Sequence, residues 1–326
     1  MPLPAPFDHL RLPLIASPMF LVSGPDLVIA QCKAGIVGSF PALNARPSSQ
    51  FDEWLHRIRE ELSAYDRANP DRPSAPFAVN QIVHKTNNRL DEDMAICAKW
   101  EVPLIITSLG AREDVNNAVH GWGGLVLHDV INNDFARKAI AKGADGLVPV
   151  AAGAGGHAGA LSPFALMQEI REWFSGLVAL SGAIACGRSI LAAQAMGADF
   201  AYAGSPWIAT HESSASDAYK QCVVDSDATD IVYSNNFTGV HGNYLKPSIV
   251  AAGLDPENLP NNDPGAMNFG AGGNTAAKAW KDIWGSGQGI GAIKAVTSVA
   301  ERVEQFAAQY QEAKRELDEK LGASIT

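Results

Sequence analysis

Short apolar segments alternate with amphipathic stretches along the first two thirds of the chain. The apolar segments are rich in β-branched residues and lack polar alternation, a pattern typical of parallel strands buried on both faces. Eight such segments occur, at 14–19, 36–42, 77–83, 104–110, 125–130, 146–152, 177–183 and 200–207. The stretches between them carry apolar residues at helical spacing, and several end on a glycine. The pattern therefore predicts eight consecutive strand–helix units.

Eight such units favour a closed (β/α)8 TIM barrel over an open, doubly wound sheet. Beyond residue 210 the rhythm breaks, and residues 211–285 are rich in Asn, Asp, Gly and Pro before a last amphipathic helix follows. A structureless loop of that length is uncommon in a compact domain. We therefore expect a small, partly helical insertion between strand 8 and helix 8. Residues 1–210 and 286–326 would form the barrel, and residues 211–285 an inserted substrate or lid domain.

Composition excludes several classes of protein. Hydrophobic residues make up 47% and charged residues 18%, as in globular domains, and the net charge of -10 disfavours nucleic acid as a partner. No apolar run approaches the roughly 18 residues of a membrane span, and the first residues lack the features of a secretory signal. The four cysteines stand far apart, without the spacing of a metal site or a disulfide framework. These features predict a cytoplasmic protein with reduced thiols.

The carboxyl ends of barrel strands, where barrel enzymes place their active sites, hold few acidic residues and no lysine. A metal-dependent hydrolase or a Schiff-base aldolase would therefore have little to work with. The seventh and eighth strands end in Ser181-Gly182-Ala183 and Ala203-Gly204-Ser205. Either turn alone is explained equally well as an ordinary tight turn. Together they predict a phosphate cradle, because loops at these two positions often bind phosphate through backbone N–H groups.

A glycine-rich loop follows the sixth strand, with four glycines among residues 153–159. Its single histidine, His157, would stand at the mouth of the barrel. An isolated histidine is more often structural, but these neighbours favour a catalytic role. An imidazole with a pKa near neutral beside a flat cofactor suits proton removal from carbon. His128, which ends the fifth strand, could face the same mouth as a hydrogen-bond donor. The glycines of residues 285–291 suit either a hinge or a second anion-binding helix start.

These motifs together resemble the FMN-dependent nitronate monooxygenases, also called 2-nitropropane dioxygenases. Relatives of that family include NAD(P)H:quinone reductases and FMN-containing enoyl reductases. The resemblance covers nearly the whole chain, and its most specific part is the loop Ala154-Gly155-Gly156-His157-Ala158-Gly159. The other matching motifs are Pro18-Met19, Val79-Asn80, Ser181-Gly182, Gly197-Ala198-Asp199, Gly204-Ser205 and Gly287-Gln288-Gly289-Ile290-Gly291.

The resemblance implies an FMN-dependent oxidoreductase that uses O₂ to convert alkyl nitronates into a carbonyl compound and nitrite, without a metal. His157 would be catalytic, either removing a proton or stabilising the anionic nitronate. Residues implied to bind FMN are Met19 and Asn80 against the ring system, His128 in the pocket, Gly155 and Gly156 on the isoalloxazine, and Gly182, Ala183, Gly204 and Ser205 at the phosphate.

The chain departs from the family pattern at four positions. Ala183 replaces a second glycine and Ser205 a threonine, whereas Val150 and His128 stand where some relatives have Gln and Lys. Val150 and His128 would affect the pocket and the flavin, so the resemblance predicts the fold and the cofactor more directly than the substrate. The alternative is a reductase that passes electrons from NAD(P)H to a quinone or an activated alkene. A non-catalytic barrel that binds flavin or phosphate is a third reading, which His157 disfavours. The partners would be small molecules, and the sequence does not decide whether the chain forms a homodimer.

Overall fold

Eight parallel strands form a ring in the computed structural model, which describes residues 3–259 and 282–323. The strands in chain order are β1 (Leu14–Ala16), β2 (Gly38–Pro41), β3 (Phe77–Ile82), β4 (Leu104–Ser108), β5 (Leu125–Val130), β6 (Gly146–Pro149), β7 (Gly156–His157), β8 (Leu177–Ser181), β9 (Phe200–Ala203), β10 (Ile231–Ser234) and β11 (Gly242–Leu245). The order around the ring is β1-β9-β8-β6-β5-β4-β3-β2, and a bridge between Ile15 and Val37 closes it. The predicted (β/α)8 barrel is confirmed.

Helices follow the barrel strands and cover the outside of the ring, and two more, α9 and α10, lie in the segment that interrupts the barrel. They are α1 (Pro25–Lys33), α2 (Ser48–Ala68), α3 (Leu90–Lys99), α4 (Glu113–Gly121), α5 (Asn133–Ala141), α6 (Pro163–Arg171), α7 (Gly187–Ala195), α8 (Ser205–Ile208), α9 (Asp217–Asp225), α10 (Lys246–Ala251) and α11 (Val299–Ala323). The last helix, α11, packs against α7 and α1 and completes the outer layer. Within the described part of the chain, no helix is both long and apolar enough to cross a membrane.

Each barrel strand is buried on both faces, which explains the unbroken apolar runs. Alternate side chains such as Leu104, Ile106 and Leu127 fill the interior of the ring, whereas their neighbours pack under the helices. At the amino end of the barrel, the Phe7 ring packs edge-on against Phe200, with 5.2 Å between the ring centroids. The barrel interior is therefore a packed core, closed at the end away from the strand carboxyl termini.

The segment that interrupts the barrel carries α9, β10, β11 and α10 among its described residues. Strand β11 pairs antiparallel with β10 and also with β7, which belongs to the glycine-rich loop of the barrel. The pairing sets Gly242 opposite His157 and Asn243 opposite Gly156. Residues 260–281 of the predicted insertion lie outside the described residues. The division at residues 211 and 285 stays a prediction, and strand pairing ties the insertion to the barrel mouth.

Candidate active site

Three glycine-rich segments meet at the carboxyl ends of β6, β8 and β9 around a cleft of about 240 Å³. Residues 153–155, 181–184 and 202–205 form its walls, together with Gly287 and Gly289. The lining is mostly glycine, alanine and serine, so backbone groups make up much of the cleft surface. The structure thus brings together five residues predicted from the sequence, which are Gly155, Gly182, Ala183, Gly204 and Ser205.

Glycine is required where these segments touch. A Cβ on Gly155 would lie 2.8 Å from the Gly287 nitrogen, and one on Gly287 would lie 2.6 Å from the Gly153 carbonyl oxygen. Neither backbone could give way easily, so only glycine allows this approach. Gly182 and Ala183 have φ angles of 140° and 54°. Ala183 therefore adopts a backbone conformation that glycine favours, at the position where the family resemblance led us to expect a second glycine. Backbone cradles of this kind suit a phosphate group.

The Ser205 hydroxyl joins the third segment to the cradle. Its Oγ accepts a hydrogen bond from the Gly287 N–H at 2.8 Å and lies 3.2 Å from the Ser286 Oγ. The Gln288 N–H donates to the Gly153 carbonyl at 2.9 Å. From the sequence, residues 285–291 suited either a hinge or an anion site. In the structure they form one wall of the cleft.

His157 lies on β7, next to the glycine cleft and beneath the insertion. Its Nε2 is 3.0 Å from the Thr238 Oγ1, and the Thr238 hydroxyl donates to the Val240 carbonyl at 3.0 Å. Burial lowers the pKa of His157 from 6.5 to about 4. The imidazole is therefore neutral at physiological pH. The expectation of a near-neutral pKa is wrong, because the site removes water from the ring without supplying a carboxylate to stabilise its charge.

The insertion also holds the glycine-rich loop in place. The Asn243 side-chain amide donates to the Ala154 carbonyl at 2.6 Å, and the Tyr233 hydroxyl donates to the Ala158 carbonyl at 3.0 Å. These partners could not be recognised from the sequence, because they follow the loop by more than 70 residues and carry no motif of their own. The position of His157 thus depends on both the barrel and the insertion.

A polar chain crosses the inside of the barrel mouth. The Asn80 amide donates to the Ile106 carbonyl at 2.9 Å and to the Ser108 hydroxyl at 2.8 Å. The Ser108 hydroxyl in turn donates to Asp129 Oδ2 at 2.5 Å. Burial raises the pKa of Asp129 to about 7, and the hydrogen bond from Ser108 opposes this only in part. Asn80 was expected at the mouth, whereas Ser108 and Asp129 were missed.

The structure corrects the expected position of His128. Its neighbours Val126 and Val130 pack under the helices, and His128 shares their side of β5. Its Nδ1 lies 2.6 Å from the Thr107 Oγ1, and burial lowers its pKa to about 4. Side chains alternate along a strand, so Asp129 faces the mouth and His128 does not.

Met19, which was expected against the ring system of the flavin, lies beside the turn of Gly204 and Ser205. A Cβ on Gly204 would be 3.6 Å from the Met19 Cγ. The loop that carries Met19 is fixed by Asn44, whose side-chain amide donates to the Met19 carbonyl at 2.9 Å. Met19 thus lies next to Gly204, in the segment that follows β1.

A family model described as nitronate monooxygenase matches residues 6–309. The chain belongs to the nitronate monooxygenase family. A nitronate monooxygenase of Paraburkholderia phytofirmans is 27% identical to it over 311 residues, which cover 82% of each chain. Alignments with further curated relatives cover 30% to 64% of the length of those proteins. This nitronate monooxygenase family member is therefore an oxidoreductase, and flavin is the cofactor expected for the family.

Two solved structures share its fold. A nitroalkane oxidase from Streptomyces ansochromogenes superposes with a TM-score of 0.80 at 22% identity, covering 95% of this chain and 99% of the other. FabK from Thermotoga maritima superposes with a TM-score of 0.75 at 20% identity, covering 96% and 97%. At these identities the likeness shows the barrel fold that this family member shares with both proteins.

Proposed function

We propose that the protein is an FMN-dependent nitronate monooxygenase, which converts an alkyl nitronate and O₂ into a carbonyl compound and nitrite. The observation that carries the proposal is His157, a neutral imidazole placed between the glycine cleft and the inserted segment. When bound, FMN accepts electrons from the nitronate and passes them to O₂. The protein contributes binding, orientation and electrostatics.

The cleft suits the phosphate end of FMN. Gly182, Ala183, Gly204 and Ser205 would hold the phosphate through backbone N–H groups and the serine hydroxyl, and Gly155 would allow close approach of the ring system. Among the residues that the structure describes, no lysine or arginine lines this cleft. Oriented N–H groups therefore have to supply the attraction for the anion, as they do in other phosphate-binding loops.

Hydrogen bonding determines which nitrogen of His157 carries a proton. The Thr238 hydroxyl donates its proton to Val240, so its oxygen accepts from the His157 Nε2–H. Nδ1 then carries the lone pair. With a pKa of about 4, this nitrogen is a weak base for removing a proton from a neutral nitroalkane. An anion bound beside the ring would raise the pKa and favour proton uptake from solvent.

This reasoning favours the nitronate anion as the substrate. His157 would bind the anion through a charge-assisted hydrogen bond, and that bond would hold the substrate while electrons leave it. A neutral nitroalkane gains no such stabilisation and also needs a base. We therefore assign His157 to anion binding, one of the two roles that the family resemblance allowed.

The test is anaerobic reduction of the flavin by propionate 3-nitronate, which is measured as the loss of the flavin's visible absorbance. His157→Asn should retain FMN but reduce the flavin roughly 10- to 100-fold more slowly, in line with losing a hydrogen bond to a charged group. His56→Asn, which alters an exposed histidine on α2, is the matched control. In the unaltered enzyme, nitroethane should reduce the flavin far more slowly than the nitronate. Equal rates in His157→Asn would overturn the role of His157, and reduction by NADH or NADPH alone would make the protein a reductase.

A further inference from the structure

One carboxyl group inside the barrel mouth has no role in the function proposed above. Asp129 lies on the inner face of β5, and among the described residues its side chain is hydrogen-bonded by the Ser108 hydroxyl, which donates to Oδ2. Its Oδ1 is closed off from solvent and has no hydrogen-bond partner among the described residues. A buried, charged oxygen without a partner is costly, so the arrangement disfavours the carboxylate form.

The hydrogen bonds leave Asp129 one oxygen on which an acid proton can sit. The Asn80 amide nitrogen bonds a backbone carbonyl, which must accept, so its other proton goes to the Ser108 oxygen. The Ser108 proton is then directed to Oδ2 of Asp129, which accepts it. The remaining position for the acid proton is Oδ1. In the ionised form, by contrast, Oδ1 would carry negative charge with nothing to compensate it.

The surroundings of Asp129 connect it to the cleft. The Ser108 hydroxyl on β4 bonds Asp129, the charge of Asp129 acts in turn on the Tyr202 phenol on β9, and no basic side chain among the described residues offsets that charge. Tyr202 also lines the glycine cleft. Burial raises the pKa of Tyr202, so this phenol is neutral. Asp129 is therefore the group near the cleft whose charge changes around neutral pH.

We propose that Asp129 is a positioning residue that must be neutral for anionic ligands to bind at the barrel mouth, so that its ionisation weakens FMN binding. The inference rests on FMN being the cofactor. Two negative charges within one low-dielectric site repel each other, and neither salt nor water screens them well there. The proton on Asp129 is exchanged with solvent only, and no bond is made or broken in the ligand.

The test is the dissociation constant of FMN, measured by flavin fluorescence from pH 6 to pH 8.5. For the unaltered chain, affinity should fall about tenfold across this range as Asp129 ionises, which corresponds to about 1.4 kcal/mol. Asp129→Asn is isosteric and neutral, and its carbonyl can still accept from Ser108. This variant should bind FMN at pH 8.5 about as tightly as the unaltered chain does at pH 6. Asp134→Asn, which changes an exposed carboxylate on α5, should behave like the unaltered chain.

Asp129→Asn with the pH dependence of the unaltered chain would overturn the role of Asp129 and leave FMN as the cofactor. No FMN binding at any pH would overturn both proposals. Infrared spectroscopy of the protein without FMN gives an independent readout. The carbonyl band of a protonated carboxylic acid should be present at pH 6, fade above pH 7 and be missing in Asp129→Asn. If that band persists in Asp129→Asn, the acid proton belongs to another group and the proposal fails.

Discussion

Two histidines, His157 on β7 and His128 on β5, are held neutral by the same physical cause. Burial lowers the pKa of each to about 4, and each has a threonine hydroxyl within hydrogen-bond distance. Their locations separate their roles. His157 follows the cleft residue Gly155 by two positions, whereas His128 packs between β5 and the helices. For His128 the consequence is a contribution to stability that depends on pH.

We predict that His128 makes the protein less stable in acid. Its pKa is 6.5 in the unfolded chain and about 4 in the folded protein, so between these values only the unfolded chain takes up the proton. Stability is therefore lost as the pH falls from 6.5 towards 4. Urea unfolding at pH 7 and pH 4.5 gives the free energy of unfolding that each chain loses on acidification. For His128→Gln this loss should be roughly 2 to 3 kcal/mol smaller than for the unaltered chain. An equal loss in both would contradict the assignment, and His56→Gln serves as the exposed control.

The sequence already contains a signal for the outward orientation of His128. The glycines around His157 mark it as a loop residue near a ligand, and the structure places it beside the cleft. His128 has no such neighbours, and its identity alone suggested the mouth. The strand carries Val126 and Val130 two positions away on either side, so alternation already indicates an outward His128 and an inward Asp129. The state of Asp129 could not be predicted, because it depends on hydrogen bonds from two other strands.

At the scale of elements, the cleft depends on loops whose backbones come close together because glycine has no side chain to keep them apart. The segment 285–291 touches the glycine-rich loop at Gly287 and the phosphate turn at Gly289, where a Cβ would lie 2.7 Å from the Ala183 carbonyl oxygen. The same segment is anchored from the insertion by Tyr219, which bonds the Gly285 carbonyl and stacks on Trp284. The insertion therefore holds two of the four segments that form the walls of the cleft, the glycine-rich loop and residues 285–291.

We predict that Gly287→Ala lowers FMN affinity at least tenfold and costs about 1 to 3 kcal/mol of stability, because the new methyl group meets backbone atoms at 2.6 Å and 3.0 Å. Flavin fluorescence and urea unfolding measure the two effects. The control is Gly291→Ala in the same segment, where a Cβ would be 3.5 Å from the Asp227 Cβ. That contact is ordinary, so FMN affinity should not change. Unchanged FMN affinity in Gly287→Ala would show that this wall does not shape the site.

Element boundaries were predictable where the pattern is continuous. All eight barrel strands lie within the predicted apolar segments. The last of them, β9, ends at Ala203, before the end of its segment at residue 207, and the short helix α8 begins at Ser205. The pairing of β7 with β11 was not predictable. It joins a two-residue strand to a partner about 85 residues further on, and neither carries the alternation of a hairpin. Tertiary packing, not local pattern, places the insertion over the mouth.

At the scale of the whole molecule, the two ends of the barrel have separate tasks. The carboxyl ends of the strands surround the cleft, His157 and Asp129, and they carry the buried polar groups. The amino end is closed by the first residues of the chain, with Leu3, Phe7 and Leu10 packed against the interior cluster. In barrels of this kind, residues at the amino end are expected to affect stability, and residues at the carboxyl end to affect function.

Phe7→Ala tests this separation. The Phe7 side chain is only 1% exposed and packs on Phe200, so its removal leaves a cavity and should lower the free energy of unfolding by roughly 3 to 5 kcal/mol in urea. FMN affinity should stay within twofold, because the cavity forms at the end away from the cleft. Phe164→Ala, at a side chain that is 62% exposed, should change stability by less than about 0.5 kcal/mol. If Phe7→Ala weakens FMN binding as strongly as it lowers stability, the barrel core transmits strain between its ends, and the tasks are not separate.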